Sequence, residues 1–206
     1  MMTQTPRQIS APIRALCQRI NPRASPVLLT ITAEPGSAPR NCFQNVRDKV
    51  ARDGGSLILG WNIWEWPSVF IEAEHHSVYR SPSGQLFDIT PSDTEDEDRL
   101  FLIDPTATYD FANPGVRRDN IRVPLSRNPK VLRFIEIGER QSEILNTIPG
   151  IGMKTLSGEA ARMFQGLERE KRSLLFDLGM MFTGRNDRCF CGSGKKFKFC
   201  HGAQRS

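Results

Sequence analysis

The stretch from Arg185 onward constrains this chain most, because it cannot fold by burial alone. It reads Arg185-Asn186-Asp187-Arg188-Cys189-Phe190-Cys191-Gly192-Ser193-Gly194, then five residues, then Cys200-His201. So short a segment buries too little apolar surface to offset its chain entropy. A cross-link must hold it. Three thiols and one imidazole at this spacing form a closed tetrahedral donor set that suits zinc, and structural zinc supplies about 10–16 kcal/mol of apparent affinity. The predicted ligands are Cys189, Cys191, Cys200 and His201, with Gly192 and Gly194 allowing the sharp turn between the ligand pairs. The alternative is three unrelated cysteines beside a chance histidine. A closed set leaves no open position, so the metal is expected to be structural and not catalytic.

These residues resemble the SEC-C motif, the zinc-binding end of the SecA translocases. Its pattern is Cys-x-Cys, eight residues including Ser-Gly, then Cys followed by Cys or His. Cys189, Cys191, Ser193, Gly194, Cys200 and His201 fit every position. The resemblance implies a docking element for a chaperone or ribosome, and the local charge agrees with that. Arg185, Arg188, Lys195, Lys196, Lys198 and Arg205 face a single acid, Asp187, and so account for the whole net charge of +5. Such a cluster attracts nucleic acid, ribosome or an acidic protein face, or simply solubilises the terminus.

The remaining chain is balanced in charge. With 206 residues, 38% hydrophobic and 25% charged, it suits one medium domain with an appendage. No run reaches the roughly 18–20 apolar residues that span a membrane, and the first residues lack the layout of a secretory signal. The expected location is the cytoplasm, where thiols stay reduced.

Periodicity predicts an amphipathic arm over residues 1–26 (Ile9, Ile13, Leu16, Ile20), a strand over 27–32 and a helix from Asn41-Cys42 to about Arg52. Two β-rich segments follow, Ser56–Trp66 and Ser68–Thr90, the second folded at Ser81-Pro82-Ser83-Gly84. Asp93–Asp98 is expected to be a solvated acidic loop. A strand over 100–105, an irregular stretch over 106–129, and helices over 131–145 and 157–182 complete the pattern. The fold class is therefore α+β: a helix on an antiparallel sheet, a helical segment, and a small zinc-bound C-terminal knot. The expected division is 1–130, 131–184 and 185–206.

Within the first part, three residues suit nucleophilic catalysis. Cys42 opens the helix that follows the loop Pro35-Gly36-Ser37-Ala38-Pro39, where the helix dipole favours a thiolate and free N–H groups favour an oxyanion. The hairpin places His76 opposite Asp88 or Ile89 if paired positions sum to 164 or 165. An acid beside an imidazole fixes its tautomer and stabilises the imidazolium. Glu72, Glu74 and His76 would share one polar strand face, from which a metal site is also conceivable. His75 would point the other way, and Cys17 would pack as a small apolar residue. An inert buried thiol is the alternative for Cys42.

The order Cys42, then His76-Ser77-Val78-Tyr79, Gly84 and Phe87-Asp88-Ile89-Thr90-Pro91 resembles the transglutaminase-like and wider papain-like cysteine enzymes. That resemblance covers about 37–105 and implies a Cys-His-Asp hydrolase or acyl transferase acting on an amide or ester. It lacks the glutamine those enzymes place before the cysteine; position 36 is glycine. A second function class is a non-enzymatic adaptor, docking through the basic zinc tail on a ribosome, chaperone or other acidic partner. A third is nucleic-acid binding, since Ile148-Pro149-Gly150-Ile151-Gly152 resembles a helix-hairpin-helix turn, although Gly158 interrupts the helix that motif needs.

Overall fold

The computed structural model describes residues 3–92, 96–115, 117–148 and 154–205, with the side chains of 204 and 205 outside that description. Residues 93–95 of the acidic run and 149–152 of the helix-hairpin-helix-like segment therefore lie outside the described residues. Among the described residues, the architecture is α+β with a mainly antiparallel sheet and four α-helices. None of the described helices is long and apolar enough to cross a membrane. The chain forms two compact units. One comprises Gln4–Glu65 and Ile71–Phe111; the other comprises Met1–Thr3, Trp66–Phe70 and Ala112–Ser206.

The first unit begins with α1 (Ala11–Ile20), which buries Ile13, Leu16 and Cys17 on one stripe. Burial pushes the Cys17 thiol up to about 11. Strand β1 (Val27–Thr30) leads through the Pro/Gly/Ser loop to α2 (Cys42–Asp53). The long strands β2 (Ser56–Trp66) and β3 (Phe70–Arg80) follow, then the short β4 (Leu86–Phe87) and β5 (Asp98–Ile103). Their order in the sheet is β1-β5-β2-β3-β4. Val27 pairs with Phe101 and Thr30 with Asp98, while Gly60 pairs with Ile103 and Ile63 with Leu100. The two outer strands of this path meet: Ile31 bridges Asp88 in parallel, Thr32 N–H donates to the Asp88 carbonyl at 2.8 Å, and Glu34 N–H to that of Ile89 at 3.1 Å. The sheet thus curls on itself around Asp88. Helix α2 sets Val46 against Tyr79 and Ile89 in a buried cluster.

The hairpin register differs from the expected one. Tyr79 pairs with Phe87 and Arg80 with Leu86, so the paired sum is 166, and the ladder stops at Phe87. The turn is longer than expected: Ser81 N–H donates to the Gln85 carbonyl, closing a loop around Gly84. Asp88 has left the ladder and turned toward β1.

In the second unit, α3 (Pro129–Asn146) starts with Pro129 in its first turn, and the Asn128 side chain accepts from Lys130 N–H at 2.9 Å. It packs against α4 (Gly158–Phe182) around Trp66, Val69, Phe70, Val131, Phe134, Ile135 and Leu178. A two-pronged Arg133–Glu170 pair at 2.7 and 2.8 Å ties the helices outside that core. Strand β6 (Ile121–Pro124) lies within the stretch expected to be irregular. Its four residues are too few to show an alternating pattern.

Candidate functional site

The terminal segment folds as a tight hairpin. Arg188 bridges Lys196, and Cys189 N–H donates to the Lys195 carbonyl at 2.8 Å. Gly192 and Gly194 turn the chain at φ of 76° and 71°, values L-residues with side chains rarely adopt. A 3₁₀ turn over Phe197–Phe199 then carries Cys200 and His201 back to the first pair. The cysteine and histidine ligand atoms all lie within 4.8 Å of one another. Cys189 Sγ is 3.3 Å from His201 Nδ1 and 3.5 Å from Cys191 Sγ; Cys200 Sγ is 3.6 Å from Cys191 Sγ and 3.5 Å from His201 Nδ1. Zinc with Zn–S of about 2.3 Å and Zn–N of about 2.0–2.1 Å has tetrahedral edges of about 3.5–3.8 Å. The donor set is therefore compatible with one structural zinc. Hydrogen bonds from Ser193 pull the Cys191 thiol down to about 6, close to the thiolate a metal needs. Phe190 packs over Gly179 on α4, where any Cβ would overlap its ring, and Phe176 meets it edge-on at 5.5 Å.

In the other unit, α2, β3 and the segment after β4 bring Cys42, His76 and Asp88 together. His76 Nε2 lies 3.0 Å from Asp88 Oδ2, which leaves Nδ1 as the nitrogen for Cys42. The Cys42 sulfur hydrogen-bonds the His76 side chain and the Ser77 backbone N–H. All three residues are buried, Asp88 completely. Burial opposes the Cys42 thiolate, but the His76 charge, its hydrogen bond and the Ser77 N–H outweigh burial and a weaker repulsion from Glu74, so the thiol lies below its ordinary value. Burial likewise opposes the His76 cation, yet Cys42 and Asp88 push it up to about 10. Asp88 stays below its usual range despite burial, held there by His76, Arg99 and the Thr90 N–H.

Three residues outside the expected set hold this arrangement. Asn45, one turn after Cys42, accepts from Ala38 N–H at 3.1 Å and donates to the Ala38 carbonyl at 2.8 Å and to Thr90 Oγ1 at 3.2 Å. Thr90 N–H donates to Asp88 Oδ1 at 3.0 Å. The contacts therefore run in a closed circuit from α2 through Asn45, Thr90, Asp88 and His76 back to Cys42. Arg99 on β5 places Nε 3.2 Å from Asp88 Oδ2, an ion pair whose N–H is not aimed well enough for a hydrogen bond. Asn45 had a sequence signal, sitting at i+3 from Cys42 on the helix. Arg99 had none, since nothing in a hydrophobic strand marks one arginine as turned inward.

The other candidates fall elsewhere. His75 packs between Phe43, at 4.9 Å, and Trp61, at 5.4 Å. Glu74 accepts from Trp64 Nε1 at 2.7 Å. Among the described residues, the cysteine–histidine set of the terminal hairpin is the group of three or more Cys, His, Asp or Glu residues close enough to hold a metal; Glu72, Glu74 and His76 do not form one.

Residues 185–203 match the SEC-C motif. The chain is similar to protein translocase subunits SecA. It is 40% identical to that of Caulobacter sp. (strain K31) over 83 residues, 35% of this chain and 9% of the relative. With that of Pseudomonas putida (strain KT2440) it shares 32% identity over 99 residues, 43% of this chain and 10% of the relative. With that of Koribacter versatilis (strain Ellin345) it shares 85% identity over 20 residues, 10% of this chain and 2% of the relative. The chain thus covers about a tenth or less of the length of these relatives. No solved structure matches the chain.

Proposed function

We propose that the chain is a cysteine-dependent acyl enzyme of the transglutaminase-like kind, hydrolase or acyl transferase, which docks on a partner through its zinc-held basic tail. The observation that carries the reading is the buried Cys42–His76–Asp88 relay, with its thiol lowered and its imidazole raised. Those opposite shifts describe a thiolate–imidazolium pair. In this reading residues 1–130 hold the chemistry, 131–184 are a helical connector and 185–206 are the docking knot, in a cytoplasmic protein.

The chemistry follows from these groups. The Cys42 thiolate attacks an amide or ester carbonyl carbon, and the carbonyl electron pair moves to oxygen, facing the free N–H groups at the start of α2. When the oxyanion collapses, the bond to the leaving nitrogen or oxygen breaks and His76 supplies its proton. Water or an amine then attacks the thioester, His76 takes the proton from the attacking group, and the Cys42 thiolate departs. The imidazolium is thereby restored beside it. Asp88 keeps the imidazole oriented throughout. Zinc, when bound, supplies only structure to the tail.

The test is alkylation by iodoacetamide at neutral pH, read by peptide mass spectrometry on zinc-loaded protein. Cys42 should be labelled and Cys17 spared, since burial holds the Cys17 thiol near 11. Cys42→Ala should remove the label from its peptide. Equal resistance of Cys42 and Cys17 contradicts an activated thiol.

A second reading, adaptor alone, has its own support in the SEC-C match and the six cations of the tail. The similar proteins are translocase subunits, which suggests a protein or ribosomal docking partner. On that reading, removing residues 185–206 abolishes partner capture while Cys42→Ala changes nothing.

A further inference from the structure

We propose that Arg99 is a positioning residue of the cysteine site, the fourth charge that makes the buried relay electroneutral and holds Asp88 facing His76. This rests on the cysteine-enzyme reading above. The Arg99 side chain is 9% exposed, and its Nε approaches the same Asp88 oxygen, at 3.2 Å, that His76 Nε2 reaches at 3.0 Å. Its guanidinium carbon also sits 5.9 Å from the centre of the Trp64 ring, which fixes it from a second side. Its backbone is pinned in the sheet opposite Leu29.

The role of Arg99 is one of charge balance. Thiolate, imidazolium and carboxylate together carry one net negative charge, in a place where Cys42, His76 and Asp88 are all buried. A buried net charge is resolved by a counter-ion or by taking up a proton. Arg99 supplies the counter-ion, so the relay can keep Cys42 ionised. Facing the same groups from β3 is Glu74, which adds negative charge and is engaged by Trp64 Nε1. Without Arg99, the cheapest proton to add is the one on sulfur. The residue therefore acts on the nucleophile through Asp88 and His76 and need not touch a substrate.

The experiment is the pH–rate profile for alkylation of Cys42 in the full chain, with thermal unfolding confirming that each variant is folded at the assay temperature. Arg99→Gln and Arg99→Met remove the charge, and the methionine retains packing bulk against Trp64. Each should move the acidic midpoint up by about one pH unit, the size expected of one nearby charge. Arg99→Lys should keep most of the original midpoint. Asp88→Asn, which leaves a surplus positive charge, should move it down, and the double variant Asp88→Asn/Arg99→Gln should bring it back up. That second comparison decides the matter even where the neutral single variants fail to fold. A low wild-type midpoint that none of these changes moves overturns the role of Arg99 and leaves the cysteine site standing. A wild-type midpoint at the ordinary cysteine value of 9.0 overturns the cysteine-enzyme reading and the role of Arg99 with it.

Discussion

Asp88 has no exposed surface, yet it meets a histidine, an arginine and a backbone amide at once. The stability of the native state is therefore tied to the ionisation of this cluster. His76 is the clearest case. Its folded value, about 10, lies above its ordinary value of 6.5, so folding favours the bound proton. The contribution is complete below about 6.5 and is lost as pH rises through about 10. Urea unfolding should accordingly show wild type more stable than His76→Gln near neutral pH, on the order of a few kcal/mol for a buried pair broken on one side. The gap should narrow as the pH is raised toward and beyond the folded value. A gap that stays constant across that range would mean that His76 is neutral in the native state.

At the scale of elements, what was legible in the sequence followed from regular periodicity and from local chemistry. Helix α2 ends at Asp53 because Gly54-Gly55 stops it, and β3 ends at Arg80 because the Ser81-Pro82-Ser83-Gly84 turn follows. The hairpin register was not legible: the sum of 166 depends on the Ser81–Gln85 closure, which single residues do not announce. His76 and Asp88 still meet, because Asp88 leaves the ladder and is drawn in by β1 and Thr90. The inward turn of Arg99 was also hidden, since it depends on which strand lies beside β5. The zinc hairpin was the most readable element, because the metal's geometry fixes the spacing of its ligands. It should bind one zinc per chain, measured by release to a colorimetric chelator. After chelation, limited proteolysis should cut within 185–206 while residues 4–65 stay resistant. Absence of bound zinc, or unchanged protection of the tail after chelation, would contradict the metal assignment.

On the scale of the whole molecule, the two kinds of site use their cysteines in opposite ways. Cys189, Cys191 and Cys200 are a closed metal set with no position for a substrate, so the zinc is an organiser. Cys42 is not one of that set, and its imidazole partner lowers its thiol below the ordinary value against the cost of burial. Cys17 shows what burial does to a thiol without such a partner. The central claim is therefore that one non-zinc thiol of this chain is ionised at neutral pH. The most direct measurement is the ultraviolet thiolate absorbance of zinc-loaded wild type minus that of zinc-loaded Cys42→Ala, followed from acid to alkaline pH. The account predicts a difference of one thiolate already present at neutral pH and lost only on acidification. A difference that is zero at neutral pH, and grows in only near the ordinary cysteine value of 9.0 or above it, would contradict the account.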